Sequence, residues 1–280
     1  MTVMQLIRTG SSMLAEAGVP GAEHDALELY LHVSGRTLSQ YAASLSEEIE
    51  EAEEKTYFSL IKRRAGREPL QYITALAPFY GREFRVRPGV LIPRFDTETL
   101  VECVLPRLKS GMRLLDLCTG SGCILLTLLL EGPEGLEGCG SDLSEEALSC
   151  AEENAARLQV PAVFVKSNLF GRITGRYDII TANPPYIRSA EIGLLDPEVR
   201  DYEPRLALDG SGDGLAFYRR ICAEAGRFLK EGGTLAFETG ADETEAVREL
   251  MQENGFSETE IHRDLSGLGR VVIGVRYGNI

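Results

Sequence analysis

Met112-Arg-Leu-Leu-Asp-Leu-Cys-Thr-Gly-Ser-Gly-Cys123 decides the fold of this chain. An apolar strand pattern runs into a glycine-rich turn, and the apolar run 124–130 follows, so the stretch reads as strand, tight loop, helix. Gly120 and Gly122 let the backbone turn sharply and approach a ligand, while Asp116 is expected at the strand end, facing an ammonium group or an ordered water. Twenty residues beyond Gly122, Asp142 ends a second, weaker strand at 136–141, where an acid accepts hydrogen bonds from both ribose hydroxyls in such folds. Charge-assisted bonds of that kind contribute about 1.5–3 kcal/mol each. Leu125 stands where a dinucleotide loop would carry its third glycine, which favours S-adenosylmethionine over a nicotinamide or flavin.

Outward from this loop the pattern alternates. A helix over 144–158 capped by Ser144, strands at 162–166 and 177–182, a helix over 214–229 and a strand at 233–238 predict a doubly wound α/β sheet. A last strand at 270–277, after the segment 255–262, suits an antiparallel end hairpin. Before residue 73 the apolar spacing at 6–17, 26–33 and 57–61 is helical. The six glutamates within 47–54 read as a solvated helix face, and Lys62-Arg-Arg64 with Arg67 as a surface ion network rather than a patch for an acidic partner. Short apolar-aromatic segments with Pro78, Gly81 and Pro88-Gly89 predict a hairpin. The expected organisation is a helical domain at 1–72, a linker hairpin at 73–93 and a catalytic domain at 94–280.

With 280 residues and 44% hydrophobic content, the chain is long enough for two packed cores. Its longest apolar run falls far short of the roughly 20 residues that span a bilayer, so a cytoplasmic, membrane-free protein is expected. Cysteines at 103, 118, 123, 139, 150 and 222 form no Cys-x-x-Cys pair, and with histidines only at 24, 32 and 262 no metal site is expected. The balance of 29 basic against 43 acidic residues, a formal charge of −14 and a pI of about 4.8 argue against a nucleic-acid substrate.

After the strand 177–182 comes Asn183-Pro-Pro-Tyr186. Such a loop suits methyl transfer to an amide-type nitrogen. Amide resonance, the effect that stiffens the peptide bond by roughly 18–20 kcal/mol, ties up the nitrogen lone pair, so a catalyst must grip the NH2 group closely. Pro184 and Pro185 hold an extended, rigid loop with its carbonyls available, and the Asn183 side-chain oxygen with the Pro184 carbonyl would take the two N–H groups. Tyr186 offers a flat face to a planar group. An isolated Asn-Pro-Pro is more readily a turn closing a strand; the glycine loop upstream favours the catalytic reading.

These residues resemble the class I S-adenosylmethionine-dependent methyltransferases and, among them, the peptide-chain release factor glutamine methyltransferases. The resemblance covers nearly the whole chain and rests also on Glu68-Pro-Leu-Gln-Tyr-Ile73 with Phe79-Tyr-Gly81, Val90-Leu-Ile-Pro-Arg94 with Thr97-Glu98, and Glu203-Pro-Arg-Leu-Ala-Leu208 followed by Gly212-Asp-Gly-Leu215. It implies a class I methyltransferase fold behind a helical substrate-recognition domain. For the cofactor it implies contacts from Asp116, Cys118, Thr119, Gly120, Ser121, Gly122, Asp142, Leu143, Asn168, Leu169 and Asn183. For catalysis and substrate it implies Asn183, Pro184, Pro185 and Tyr186, with Arg94 and Glu98 beside the pocket. The partner implied is a class 1 release factor, methylated at N5 of the glutamine in a Gly-Gly-Gln loop by direct in-line transfer. Departures fall in the cofactor site: Cys118 replaces a usual glycine and fits if its φ is negative, and Asn168 replaces an aspartate near the adenine; Phe95-Asp96 and Ala75 also depart. Ribosomal-protein glutamine methylation, adenine methylation in a nucleic acid and a non-catalytic cofactor-binding scaffold are the alternatives. For residues 187–202 the sequence allows a mobile lid or a surface loop.

Overall fold

The computed structural model describes residues 1–277; residues 278–280, the last of the expected catalytic domain, lie outside the described residues. The described residues divide into two compact units, one made of 1–76 with 196–202 and the other of 77–195 with 203–277.

In the first unit, helices Val3–Glu16, Ala22–Ser34 and Glu51–Ala65 bury Leu6, Leu14, Leu29, Tyr30, Tyr57 and Ile61 between them. Thr2 and Gln5 form a reciprocal capping box that starts the first helix. Gly10 is required by packing: a Cβ there would lie 2.1 Å from the Tyr57 hydroxyl, which donates to the Ala26 carbonyl at 3.2 Å. The arginines after Lys62 are tied up internally. Arg64, buried, pairs with Asp25 at 2.6 Å and Glu198 at 2.9 Å, Arg67 grips Glu198 through two bonds of 2.7 and 2.6 Å, and Arg63 pairs with Glu68. With the Tyr202 hydroxyl donating to the Gly66 carbonyl at 2.7 Å, these bonds hold the helix Pro197–Tyr202 in the helical unit. The segment after Asn183-Pro-Pro-Tyr186 is thus ordered into short helices, Ile192–Leu194, Pro197–Tyr202 and Arg205–Leu208.

The second unit opens with the hairpin β1 (Leu76–Phe79) and β2 (Arg82–Arg85). Its sheet is formed by β3 (Arg113–Leu117), β4 (Glu137–Asp142), β5 (Val163–Lys166), β6 (Tyr177–Ala182), β7 (Leu229–Glu238), β8 (Phe256–Arg263) and β9 (Gly269–Arg276). The strand order is β5-β4-β3-β6-β7-β9-β8, with β9 antiparallel to both neighbours and the β5-to-β7 ladder parallel. This is the class I methyltransferase arrangement, doubly wound with an antiparallel last strand. Central strands are apolar on both faces, as covered parallel strands must be: Leu115 and Ile180 enter one core with Tyr218 and Phe237, and Leu114 and Ile179 the other with Leu125 and Leu128. Helix Cys123–Glu131 is apolar nearly all round and buried, whereas Glu145–Leu158, capped by Ser144, is amphipathic. Asn154 on that helix donates to the Ser121 and Arg85 carbonyls at 2.9 and 3.0 Å, tying the glycine loop to β2.

Candidate active site

The parallel register sets which residues meet. Leu117 pairs with Ser141 on one side and Ala182 on the other, and Ala182 pairs with Phe237. Cys118, Asp142, Asn183 and Glu238 therefore emerge together at the carboxyl end of the sheet, where open α/β sheets bind ligands. Thr119 N–H donates to the Ser141 carbonyl at 3.0 Å and Gly122 N–H to the Thr119 carbonyl at 2.8 Å, closing the turn. Gly120 and Gly122 have φ of +56° and +80°, and a Cβ at Gly122 would lie 3.2 Å from that of Ala151. Gly120 has open space on that side.

Two expectations are corrected here. Cys118 has φ +56°, not a negative value, so a residue with a Cβ occupies the left-handed region at a cost of roughly 1–2 kcal/mol. Burial, with Asp142 and Asp116 alongside, pushes its thiol pKa up, leaving an uncharged wall. Asp116 does not reach the ligand space: it is fully buried behind the loop, where its oxygens accept from the hydroxyls of Thr119 at 2.6 Å and Thr181 at 2.7 Å. Burial raises its pKa to about 7 against those two hydrogen bonds, with Asp142 adding to the rise.

In front of the loop lies a cavity of about 310 Å³, within the range of small-ligand sites. Of the residues expected from sequence, Cys118, Thr119, Gly120, Ser121, Asp142, Leu143, Asn168, Leu169, Asn183, Pro185 and Arg94 line it. Asp116, Gly122, Pro184, Tyr186 and Glu98 do not. Glu98 instead accepts from Tyr80 N–H at 2.7 Å, and Tyr186 packs against the sheet core. Asp142 accepts from Gly120 N–H at 3.0 Å and Ser144 N–H at 2.9 Å; burial raises its pKa, and these backbone donors with Leu143 N–H work against the rise. Each oxygen keeps acceptor capacity for a hydroxyl. Phe217 and Leu169 supply apolar walls, and Asn168 is oriented by Arg220, which donates to its Oδ1 at 2.8 Å and leaves its NH2 free of that bond. A carboxylate for hydroxyls, apolar walls for a flat ring and an open glycine turn together fit a nucleoside-bearing cofactor.

Another wall is the segment 89–94 with Pro204, Leu206 and Ala207. Glu203 joins these pieces: its carboxyl, 1% exposed, accepts from Ile92 N–H at 3.1 Å and pairs with Arg94.

Residues 5–74 match the PrmC N-terminal domain family and residues 89–195 the methyltransferase small domain. Over 279 residues the chain is 40% identical to a release factor glutamine methyltransferase from Agrobacterium fabrum, with 97% of this chain and 96% of that one covered. One of that name from Geobacter sulfurreducens is 37% identical over 274 residues, covering 98% and 96%. The chain belongs to the release factor glutamine methyltransferase family. A T. thermophilus 16S rRNA N2 G1207 methyltransferase, solved with AdoMet and guanosine, superposes on it with a TM-score of 0.53 at 20% identity, over 72% of this chain and 49% of that one, which bears on the fold alone. As a family member the chain is an S-adenosylmethionine-dependent methyltransferase, and the cavity's donor set accords with that cofactor.

Ile92, Pro204, Leu206, Ala207 and Phe217 line the cavity without being among the expected site residues, and at the strand end beside Asn183 stands a further unexpected residue, Glu238. It ends β7, is 1% exposed, and follows Phe237, whose partner Ala182 precedes Asn183. Its signal was present in Phe237-Glu-Thr-Gly240, an acid at a strand's carboxyl end before a glycine.

Proposed function

We propose that this enzyme transfers a methyl group from S-adenosylmethionine to the side-chain amide nitrogen of the glutamine in a release factor's Gly-Gly-Gln loop. The observation that carries the reading is the placement of Asn183 and Pro185 on the same cavity wall system as Asp142. When bound, the cofactor supplies an electrophilic methyl on a sulfonium sulfur. Asp142 holds the hydroxyl end of that nucleoside, while Asn168, Leu169 and Phe217 flank its base. Asn183 Oδ1 accepts one N–H of the incoming amide, and the Pro184 carbonyl, bonded directly to the cavity-lining Pro185 although Pro184 itself does not line the cavity, accepts the other, which orients the nitrogen lone pair. Bringing the reacting atoms together in this way contributes about 7–11 kcal/mol, so positioning dominates over general-base catalysis. Forming the N–CH3 bond would break the S–CH3 bond and release the thioether product, and the cationic nitrogen then passes its proton to solvent.

The test uses purified protein, radiolabelled S-adenosylmethionine and four acceptors: a release factor, the same factor with its Gly-Gly-Gln glutamine replaced, a ribosomal protein and adenine-containing DNA. Label on the intact factor alone supports the reading. Label on the ribosomal protein or DNA instead, or on the substituted factor equally, overturns it.

A further inference from the structure

An amide side chain has two ends, and only one of them suits the proposed substrate grip. If the NH2 of Asn183 faced the cavity, it would set donors against the donors of a glutamine amide. The end that faces the protein therefore matters, and it is decided by what lies behind Asn183. Asn183 Nδ2 is 3.5 Å from Oγ1 of Thr97, a residue 2% exposed. At the neighbouring strand end, where Ala182 of β6 pairs with Phe237 of β7, stands Glu238, whose Oε2 is buried without a hydrogen-bond partner. Arg270, the nearby cation, is occupied elsewhere: it pairs with Asp264 and Asp96, both at 3.1 Å, and donates to the Thr239 carbonyl at 3.2 Å. Among the described residues no ion pair reaches Glu238 itself, although a buried carboxyl with spare acceptor capacity is costly to keep. Thr97 and Asn183 act on its charged form as hydrogen-bond donors, lowering its pKa against the rise that burial causes.

We propose that Glu238, together with Thr97, is a positioning residue for methyl transfer: it takes up the NH2 end of Asn183 and so fixes Asn183 Oδ1 toward the substrate amide. This rests on the function proposed above. The ionised carboxyl accepts from both neighbours, whereas the protonated acid gives one oxygen to its own proton. Burial raises the Glu238 pKa to about 7, so the two forms exchange in the neutral range. The charged and titratable groups facing it are Arg270 from β9, Asp96 from the turn Phe95–Thr97, Tyr186, Tyr218 from the helix Ala216–Phe228 and Cys123. Tyr186, Tyr218 and Cys123 all have pKa values raised by burial and stay neutral there.

The experiment compares the wild-type enzyme with Glu238→Gln, Thr97→Val and Thr97→Ser. It reads steady-state methylation of a release factor across pH 6–9, S-adenosylmethionine affinity by calorimetry, and the Asn183 side-chain amide signals by NMR in protein without cofactor. Expected are a kcat at least tenfold lower in Glu238→Gln and Thr97→Val, near-normal kcat in Thr97→Ser, and cofactor Kd within threefold of wild type throughout. The wild-type kcat should fall on the acid side of about pH 7 and the Asn183 amide signals should shift over the same interval, with both effects lost in Glu238→Gln. A Glu238→Gln kcat within twofold of wild type, or a loss shared equally by cofactor affinity, overturns the positioning role while the wild-type activity stands. No transfer by the wild type to the factor overturns the functional reading and this proposal together.

Discussion

Replacing Glu203 by alanine tests how the cavity wall is held, because one buried carboxyl bridges two segments. Its loss leaves Ile92 N–H, on a residue 3% exposed, without the acceptor it has at 3.1 Å. An orphaned buried donor of this kind costs about 1–3 kcal/mol. The Arg94 side chain is 38% exposed and rehydrates, so the broken ion pair adds only about 0–1 kcal/mol. The sum is about 1–4 kcal/mol. In a unit of this size that lowers Tm by about 2–16 °C at 2–4 °C per kcal/mol. Glu203→Gln keeps a carbonyl for Ile92 and loses only the charge, so its decrease should be the smaller. Since 89–94 and 204–207 both line the cavity, S-adenosylmethionine affinity should fall at least fivefold in the alanine variant, about 1 kcal/mol. Calorimetric unfolding and titration of the three proteins measure both quantities. A glutamine variant as unstable as the alanine one, or an alanine variant within 1 °C of wild type with unchanged affinity, would refute the assignment of the Ile92 bond as the main term.

Asn183→Ala should abolish transfer to a release factor while cofactor Kd by calorimetry stays within threefold, and Asp142→Ala should raise that Kd at least tenfold, about 1.4 kcal/mol; equal losses of both properties in either variant would sink its role. Cys118→Gly removes left-handed strain of roughly 1–2 kcal/mol but adds about 0.5–1 kcal/mol of glycine chain entropy, so denaturant unfolding should show a small gain or no change, and a loss above about 1 kcal/mol would contradict the strain argument. Asp116 has its folded pKa raised from 3.8 to about 7, so its contribution to stability is fully present below pH 3.8 and is lost as pH rises through about 7. Relative to Asp116→Asn, the wild type should lose up to roughly 1.4 kcal/mol per pH unit between pH 4 and 7 in unfolding titrations; parallel curves would contradict the burial. Arg64→Ala leaves the buried Asp25 unpaired, while Glu198 keeps Arg67, and should cost about 3–5 kcal/mol, seen as earlier exchange of amides in the helical unit.

The glycine loop and the strand periodicity made the sheet legible, because both are local signals. Tyr177–Ala182 and the Ser144-capped helix fall where the pattern puts them. The helix expected over 214–229 runs from Ala216 to Phe228, since Leu215 and Leu229 turn out as its caps. The strand expected at 233–238 begins earlier, at Leu229, because pairing with Tyr177 across an irregular register extends it through Gly232 and Gly233, which carry no strand signal. The helix Pro197–Tyr202 carries a local start signal, Asp196 before Pro197 with Glu198 in the first turn, but it is too short for apolar periodicity to mark it. It is held by Glu198 to Arg64 and Arg67, more than a hundred residues earlier.

Asp116 and Asp142 show why site residues are harder to read than strands. Both are aspartates near the carboxyl ends of adjacent strands, and the motif marks both as cofactor ligands. What separates them is the direction of one side chain. Asp142 receives backbone N–H groups from Gly120 and Ser144 and lines the cavity, while Asp116 points back to two threonine hydroxyls. Thr181, one of those donors, lies on β6, so the fate of Asp116 is set by a residue 65 positions away across a strand pair. Glu238 follows the same logic with the opposite result. An acid at a strand end is unremarkable in sequence; it gains meaning only when parallel register, Ala182 with Phe237, sets it at the strand end beside Asn183, whose Nδ2 meets Thr97 of the turn Phe95–Thr97. Local chemistry thus names the candidates, and strand register decides which of them face the substrate, which face one another and which hold the loop from behind.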